Sequence, residues 1–479
     1  LKTPKFKTKR SLKTNIKNIL KDYRAMLKFY NSLTRRKEEF TSYGDTVKMY
    51  SCGPTVYSYP HIGNMRAYLF MDNIRRTLKY NGYKIDGVMN ITDVGHLTSD
   101  ADEGEDKMMV ASEREHKSPW EIAKFYTDVF MKDVKALNID LPEHIVPATS
   151  VIDDIIEFVK GLQEKGYAYE TSKGIYFDIS KFGGYGQLGS DINAKKAGAR
   201  IEVDGEKRHP ADFALWIKAP KEHIMQWDSP WGKGYPGWHI ECSTIGKKYL
   251  GDHIDIHTGG VDHKTIHHEN EIAQSDCLEG HKVVRYWMHL EFLQIDGGKM
   301  SKSLHNVFTL SDLEANGFCP EDFRYFYFMA HYSKQQNFTY DSLMSARNSL
   351  KNFKNAIWEH KNGTSSLTKE KEESYRQDFL NAINDDLNMP VALAVCQKLL
   401  KEDKSKDVYN LICKFNEVLG LDLEEKEESI PDEIKKLAER RWQAKQNKNY
   451  AQADSLRAEL SAKGYTINDH KDGYDIVKN

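Results

Sequence analysis

The chain has 479 residues, of which 39% are hydrophobic and 29% are charged, and its formal net charge is −2. This composition is typical of a soluble globular protein of roughly two to four domains, and no apolar run is long enough to span a membrane. Because the net charge is close to zero, any face that binds nucleic acid has to be local.

Residues 1–25 are rich in lysine, with nine basic residues against one acidic residue, Asp22. The segment lacks the apolar core of a secretory signal. It is either an upstream extension without a function of its own or a basic arm that helps to hold RNA. Six cysteines in a large chain without such a signal are typical of reduced thiols, so we expect a cytoplasmic protein.

A β–α–β pattern covers residues 47–93. A short apolar run at 47–51 predicts a strand, and Gly53 and Pro54 end it. Apolar residues three and four apart then predict a helix that begins near Gly63, and a second strand follows at 85–91. The segment 60–64 (Pro-His-Ile-Gly-Asn) stands at the start of that helix, where unpaired N–H groups and the helix dipole favour phosphate.

Further along the chain, periodicity predicts helices over 113–137, 150–166 (capped by Ser150), 265–278 and 323–332, and a strand region at 249–257. Residues 341–420 predict an antiparallel helix bundle. The last segment, 431–479, predicts one or two helices, a turn at Gly464 and two short strands. Its first helix carries basic residues near aromatic ones, a pattern that can bind phosphates and stack bases but is also common on solvated helices.

Three distant segments carry candidate metal ligands. His267 and Glu271 are four residues apart, on one face of a predicted helix. With Cys52 and Cys242 they form a Cys₂-His-Glu set, which suits tetrahedral zinc. Spacing alone also allows buried cysteines that act as small hydrophobes and a polar, His-rich helix start. If one of these four candidates is not a ligand, the residues most easily mistaken for it are His263, His268 and Cys277.

A second candidate phosphate-binding segment is 296–303, Asp-Gly-Gly-Lys-Met-Ser-Lys-Ser. Its two lysines, Lys299 and Lys302, stand on a loop that can fold over a triphosphate. The combination of His-Ile-Gly-Asn after the first strand with this Lys-Met-Ser-Lys-Ser loop resembles the paired signatures of class I aminoacyl-tRNA synthetases. The residues around Cys52, Cys242 and His267 resemble those of the cysteinyl-tRNA synthetase family, and the resemblance extends from about residue 26 to the end of the chain.

The resemblance implies an α/β fold: a class I synthetase Rossmann-type nucleotide-binding domain with a connective insertion, then a helix bundle and a small α+β C-terminal module. We therefore expect seven regions: the basic extension (1–25), the first half of the catalytic domain (26–139), the connective insertion (140–225), the second half with the lysine loop (226–310), a stem-contact region (311–340), the helix bundle (341–425) and an anticodon-binding module (426–479).

The resemblance also implies the activity: a cysteine–tRNA ligase that forms cysteinyl-adenylate from cysteine and ATP and transfers cysteine to the 3′ end of tRNA(Cys). It implies ATP with Mg²⁺, one Zn²⁺ per chain that reads the substrate thiolate, no membrane partner and a monomer. Carried over residue by residue, the catalytic positions are His61, Asn64, Lys299 and Lys302. The ATP contacts are His61, Gly63, Asn64 and Lys302, and the zinc ligands are Cys52, Cys242, His267 and Glu271. The amino-acid pocket is formed by Cys52, Gly53, Thr92 and Trp238, and the anticodon contacts are Lys445, Tyr450 and Asp469.

Asn64 departs from the family signature, which usually reads His-Ile-Gly-His. Asn can donate a hydrogen bond but cannot carry a positive charge, so the chain is either an active enzyme or an inactive paralog; we expect the former. Three other functions stay open: a ligase of the same fold that joins cysteine to an amino-sugar, a non-enzymatic RNA-binding paralog, and a protein whose zinc is purely structural. The C-terminal module argues against the sugar ligase.

Overall fold

The computed structural model describes residues 27–95, 106–189, 206–221, 223–299, 306–423, 431–470 and 473–478. The chain divides into two compact units, Leu1–Asp422 and Leu423–Asn479. Residues 1–25 and Lys302, both singled out from the sequence, lie outside the described residues. In the described part of the chain, no helix combines the length and the apolar character needed to cross a membrane.

The strands of the described residues are β1 (Lys28–Asn31), β2 (Arg36–Glu39), β3 (Thr46–Ser51), β4 (Lys84–Ile91), β5 (His144–Pro147), β6 (Ala168–Glu170), β7 (Gly174–Phe177), β8 (Phe213–Lys218), β9 (Gly234–Pro236), β10 (Ile254–Gly260), β11 (Val284–Leu290), β12 (Leu293–Ile295), β13 (Gly298–Lys299), β14 (Gln336–Phe338), β15 (Tyr465–His470) and β16 (Gly473–Lys478). The helices are α1 (Ile62–Tyr80), α2 (Lys107–Glu115), α3 (Pro119–Ala136), α4 (Ile152–Glu164), α5 (Trp238–Leu250), α6 (His267–Glu279), α7 (Leu310–Ala315), α8 (Pro320–Phe328), α9 (Tyr340–Lys361), α10 (Lys369–Asn384), α11 (Met389–Leu399), α12 (Lys406–Leu419), α13 (Asp432–Gln446) and α14 (Tyr450–Ala462).

A parallel sheet of five strands, in the order β11-β10-β3-β4-β5, forms the centre of the larger unit. Its central strands are almost wholly buried, as expected for a parallel sheet with helices on its faces. Ser51 pairs with Met89 on one side and with Thr258 on the other, so three strands end side by side. The chain order reverses between β3 and β10, and ligands of α/β sheets bind at the carboxyl edge of such a reversal.

Two smaller sheets are attached to the central one. Strands β6, β7, β8 and β9 form an antiparallel sheet between β5 and α5, and Phe177 and Phe213 stack within its core at 5.0 Å. Strands β13, β12 and β14 form a second sheet. Asp296 and Gly297, with φ of 48° and 77°, make the tight turn from β12 to β13. The turn and β13 of this hairpin are the first four residues of the lysine loop.

Helices α8 to α12 follow. All aromatic side chains of α8 are buried, which confirms the predicted aromatic core helix, but α8 ends at Phe328 and not at Tyr332. The smaller unit contains α13, α14 and the β15–β16 hairpin. Its core is formed by apolar residues of both helices and of the hairpin: Ile434, Leu437, Ala438, Leu456, Leu460, Tyr465 and Ile467.

The structure corrects three predicted elements. The single helix predicted over 113–137 is two helices, because His116 takes a left-handed conformation (φ 53°) and Pro119 begins α3. Ser150 is not a helix cap: its hydroxyl donates to the Pro147 carbonyl inside a 3₁₀ turn, and α4 begins at Ile152. The strand predicted from 249 begins at Ile254, because the preceding residues complete α5.

Candidate active site and metal centre

The first signature segment forms the N-terminus of α1. His61 is the N-cap; its Nδ1 accepts from the Asn64 N–H, and the Asn64 Oδ1 accepts from the His61 N–H, both at 3.1 Å. This reciprocal pair satisfies two donors at the helix start. Because its oxygen faces the cap, the Asn64 side chain keeps its NH₂ group as the donor that can point toward solvent.

The segment that follows the lysine loop returns to this helix start. The Ile62 N–H donates to the Phe308 carbonyl at 2.8 Å, and His61 and Thr309 form an isolated bridge. The backbone of Lys299 belongs to β13, and Lys302 lies outside the described residues. The described residues that follow the lysine loop therefore lie beside the start of α1.

Arg66, one turn into α1, joins this helix to the sheet of β12, β13 and β14. Its guanidinium is fully buried and donates to Gln336 Oε1 and the Lys334 carbonyl, each at 3.1 Å, and to the Glu291 carbonyl. Burial lowers the pKa of Arg66 to about 10, so the group stays charged at neutral pH. A buried cation that bonds three separate backbone or side-chain oxygens fixes the position of α1 relative to β14.

The four predicted zinc ligands lie at the carboxyl edge of the central sheet. Cys52 directly follows β3, and its N–H donates to the Thr258 carbonyl of β10 at 3.2 Å. Cys242 comes from the second turn of α5, and His267 and Glu271 face the same side of α6. One ligand atom from each of the four lies within 4.8 Å of the others, and all but half-buried Cys52 are buried.

Hydrogen bonds orient the two ligands on α6. The Nδ1 atoms of His267 and His239 are 2.9 Å apart, which leaves His267 Nε2 at 3.5 Å from Cys242 Sγ and 3.2 Å from Glu271 Oε1. His257 Nε2 holds the other carboxylate oxygen, Oε2, at 3.0 Å. Glu271 Oε1 is buried and lacks a hydrogen-bond partner among the described residues. These contacts direct His267 Nε2 and Glu271 Oε1 toward the thiols.

The two thiols influence each other strongly. Burial raises the pKa of Cys52, but the hydrogen bond with Cys242 and the nearby His268 outweigh burial and hold that pKa well below its usual range. The same hydrogen bond and burial raise the pKa of Cys242 well above its usual value. A divalent cation bound between the two sulfurs would lower both pKa values and so allow both thiols to ionise.

The donor set fits a zinc ion: two sulfurs, one imidazole nitrogen and one carboxylate oxygen with an orphaned atom converge on one buried point. A second set, Cys52, His257, His268 and Glu271, is equally compact. His268, one of the predicted confusions, has both ring nitrogens engaged, by Cys52 Sγ at 3.2 Å and by His289 at 2.8 Å. His257 likewise bonds Glu271. A metal ion bound by the second set would therefore have to break more hydrogen bonds than one bound by the set with Cys242 and His267.

The predicted amino-acid pocket adjoins this cluster. Thr92 follows β4 and is buried, and its hydroxyl donates to Glu241 Oε2 at 2.7 Å. The indole of Trp238 lies over the His267 ring, with 4.4 Å between ring centroids. Gly53 admits no side chain, because a Cβ there would lie 1.6 Å from the Asn90 carbonyl oxygen. Burial raises the pKa of Glu241 well above its usual range.

The predicted anticodon residues lie in the smaller unit. Asp469 accepts from Lys445 at 2.8 Å, from Arg457 at 3.0 Å and from both Arg441 guanidinium nitrogens. The hydrogen bonds from Arg441 lower the pKa of Asp469 well below its usual range, and they outweigh burial, which acts in the opposite direction. Tyr450 begins α14 and is exposed. Asp469 therefore gathers three cations on one surface.

Sequence reasoning missed Arg66, Asn90, Glu241, His239 and His257. A charged or amide residue inside an otherwise apolar helix or strand was the available signal for the first three. Nothing in their spacing indicated which distant group each would contact, because those contacts join separate elements of the fold.

Comparison with known proteins agrees with this geometry. Residues 39–348 match the family model for the catalytic domain of class I (C) tRNA synthetases. The cysteine–tRNA ligase of Treponema denticola is 42% identical over 481 residues, covering 92% of this chain and 98% of its own length. Cysteine–tRNA ligase 1 of Burkholderia lata is 42% identical, covering 93% and 96%. Among solved structures, Mycobacterium tuberculosis methionyl-tRNA synthetase in complex with methionyl-adenylate superposes with a TM-score of 0.53 at 13% identity, covering 78% of this chain and 90% of its own.

The structural match supports the predicted class I synthetase fold, in agreement with the parallel sheet, the helices and the C-terminal strands. The sequence matches cover nearly the whole chain at an identity well above that of chance similarity. They confirm the family resemblance and establish that the protein is an enzyme, a ligase. The chain belongs to the cysteine–tRNA ligase family of class I aminoacyl-tRNA synthetases.

Proposed function

We propose that this enzyme first joins cysteine to ATP, forming cysteinyl-adenylate and pyrophosphate, and then transfers cysteine to the 3′-terminal adenosine of tRNA(Cys). The observation that carries the proposal is the cluster of Cys52, Cys242, His267 and Glu271 at the carboxyl edge of the nucleotide-binding sheet. This cluster supports the proposal because its two sulfurs, imidazole and carboxylate suit a metal that reads a thiolate, in the same unit as the helix start that we propose binds the nucleotide phosphates.

In the first step the substrate carboxylate attacks the α-phosphorus of ATP, so the enzyme mainly positions groups and stabilises charge. His61 and Asn64, at the N-terminus of α1, donate toward the phosphates, and Gly63 permits close approach. Lys299 and Lys302 stabilise the departing pyrophosphate, together with Mg²⁺. The bond between Ile62 and Phe308 holds the segment that follows the lysine loop beside the helix start.

Zinc, held by Cys52, Cys242, His267 and Glu271, supplies a soft Lewis acid that binds a thiolate far better than an alcohol. Shape and hydrogen bonding alone separate near-isosteres such as cysteine and serine by only about 10²-fold. The residues of the chain orient that centre: His239 fixes the ring of His267, and His257 fixes the carboxylate of Glu271.

Lys445, Tyr450 and Asp469 are proposed to serve the anticodon. In this assignment Asp469 acts through the cations it gathers, since a carboxylate surrounded by Arg441, Lys445 and Arg457 spaces them for phosphate oxygens.

The first test is the transfer of labelled cysteine onto unfractionated tRNA with ATP, Mg²⁺ and Zn²⁺. We expect charging that saturates at the cysteine-acceptor fraction. If no charging occurs, the same assay with Asn64→His distinguishes a weakened synthetase, which gains activity, from a sugar ligase or a non-enzymatic paralog, which stays silent.

The metal assignment has a separate test: zinc per chain in the wild type, in Cys242→Ala and in the matched control Cys277→Ala. Cys277 is also a buried thiol, on α6, but it contacts Tyr167 instead of the cluster. We expect one zinc in the wild type and the control, and loss in Cys242→Ala; zinc retained in Cys242→Ala refutes the assignment. A cobalt spectrum that does not change on addition of cysteine would show a purely structural metal.

A further inference from the structure

Three metal-ligating side chains lie together at the amino edge of the central sheet. Asp252 and His253 stand between the end of α5 and the start of β10, and His281 stands between α6 and β11. One ligand atom from each of the three lies within 4.8 Å of the others. About 12 Å of helix separates Glu271 from the last residue of α6, Glu279. The group is therefore distinct from the thiol-reading cluster, which consists of Cys52, Cys242, His267 and Glu271.

The carboxylate of Asp252 presents one oxygen to each imidazole ring. Its Oδ1 is 3.0 Å from His253 Nδ1, and its Oδ2 is 3.9 Å from His281 Nε2. Nitrogen and oxygen ligands lie about 2.0–2.2 Å from zinc, so two of them on a tetrahedral ion are about 3.3–3.6 Å apart. The two spacings in the structure bracket that range, so small side-chain rotations bring all three groups onto one ion.

The surroundings of the two rings favour metal binding. His281 Nδ1 is 3.2 Å from the Lys282 carbonyl oxygen, which can only accept. Nδ1 therefore carries the proton, and Nε2 keeps the lone pair that a metal ion requires. The His253 ring stacks on the His281 ring with 4.6 Å between centroids, and Tyr43 packs against it in a T-shaped arrangement at 4.8 Å. These contacts hold both rings in place before any ion binds.

The ends of two helices also converge on this group. The three side chains follow the last residues of α5 and α6 by two or three positions. The carboxyl end of a helix carries a partial negative charge, which favours a cation. The lysines in the last turn of α5 are engaged elsewhere, since Lys247 pairs with Glu279 and Lys248 pairs with Asp154. A divalent ion is therefore attracted both by Asp252 and by the two helix ends.

We propose that Asp252, His253 and His281 form a second metal site, which binds a divalent transition-metal ion such as Zn²⁺ and clamps the ends of α5 and α6 together. Two imidazoles and one carboxylate are ligands that ions of this class accept. The clamped helices carry three members of the thiol-reading cluster: Cys242, His267 and Glu271. The second site goes beyond the proposed function and does not depend on it, because the two sites share no ligand.

The exposure of the second site determines how it is tested. Its side chains are 38–58% exposed and supply three ligands, so the ion exchanges with solvent more readily than one held by four mostly buried ligands. Desalted protein therefore keeps only the buried zinc, and the second site fills when free Zn²⁺ is supplied. The experiment is a calorimetric titration of Zn²⁺ into the full-length protein after desalting.

We expect the wild type to bind one further Zn²⁺ in this titration. His253→Ala and His281→Ala should each weaken that binding by at least about 10-fold, because even the loss of an outer-shell partner of a metal ligand costs that much. His144→Ala is the matched control and should leave the affinity unchanged. His144 is 40% exposed and lies 3.1 Å from Asp86, but it belongs to no group of three metal ligands among the described residues.

Hydrogen exchange tests the clamp itself. Zn²⁺ at about 100 times its dissociation constant should slow exchange by up to about 100-fold at amides in the last turns of α5 and α6 whose opening breaks the site. The wild type and His144→Ala should show this effect in both helices, and His281→Ala should show it in neither. Retention of the buried zinc in His281→Ala shows that the variant is folded.

Three results would overturn the second site. They are a wild type that binds no further Zn²⁺, an unchanged affinity in either His253→Ala or His281→Ala, and slower exchange that is confined to one of the two helices. Loss of the buried zinc or of cysteine charging in the wild type would instead overturn the proposed function and would leave the second site standing.

Discussion

Replacement of Arg66 by methionine tests whether the two signature segments are held in register by one buried cation. Methionine fills a similar volume but donates no hydrogen bonds. The three acceptors of Arg66 are Gln336 Oε1 and the carbonyls of Glu291 and Lys334, all in or beside the sheet of β12, β13 and β14.

The expected size of the effect follows from these contacts. A hydrogen bond with a charged donor contributes about 1.5–3 kcal/mol, so three of them contribute about 4.5–9 kcal/mol. Removal of a buried guanidinium also removes a desolvation cost of several kcal/mol, which leaves a net loss of about 2–4 kcal/mol. If about 1.4 kcal/mol of this loss appears in nucleotide binding, the KM for ATP rises tenfold.

The assay is ATP–pyrophosphate exchange, with KM measured separately for ATP and for cysteine. Arg66→Met should raise the KM for ATP about tenfold or more and lower kcat, with little change in the KM for cysteine, because the thiol-reading cluster lies on other elements. Arg66→Lys should recover only part, since ammonium cannot reach three divergent acceptors. Lys79→Met is the control on the same helix, where a surface pair with Asp140 contributes at most about 1 kcal/mol.

Unchanged ATP kinetics in folded Arg66→Met would refute the reasoning, as would an equal rise in both KM values. The first result would show that the lysine loop finds the helix start without Arg66. The second would show a general loosening of the catalytic unit.

Three further predictions concern other parts of the chain. Asn64→Ala should slow cysteine activation by about 1–3 kcal/mol in pyrophosphate exchange, as for loss of one positioned donor, and an unchanged rate would count against its role. Arg324→Met should cost about 3–5 kcal/mol in the hydrogen-exchange protection of α1 and α8, because it leaves buried Asp72 without that partner; protection equal to the wild type would contradict this. Asp469→Asn should lower the protection of α13 at pH 7. Because Arg441 lowers the folded-state pKa of Asp469, this stabilisation is complete above the unfolded value of about 3.9 and is lost as the pH falls toward the folded value, so the difference should vanish in strong acid. A difference that persists there would show that it does not come from charge.

The local elements could be predicted because their signals are local. The spacing of apolar residues in α1, the break at Gly53 and Pro54, and the aromatic run of α8 were enough to place these elements. Likewise, four residues of separation put His267 and Glu271 on one face of α6, whatever the rest of the fold. A predicted helix was wrong where a single residue interrupts the helical repeat of apolar residues, as the left-handed His116 does between α2 and α3.

The sequence by itself thus determined the element types, the two signature segments and the chemical character of the candidate zinc ligands. Only the tertiary structure decided which other distant groups meet, such as Arg66 with Gln336 and Thr92 with Glu241. The physical reason is that helix and strand periods act over a few residues, whereas these contacts depend on strand order and register in a parallel sheet. Whether a buried carboxyl such as Glu241 finds a donor is settled only when that register brings one within 3 Å.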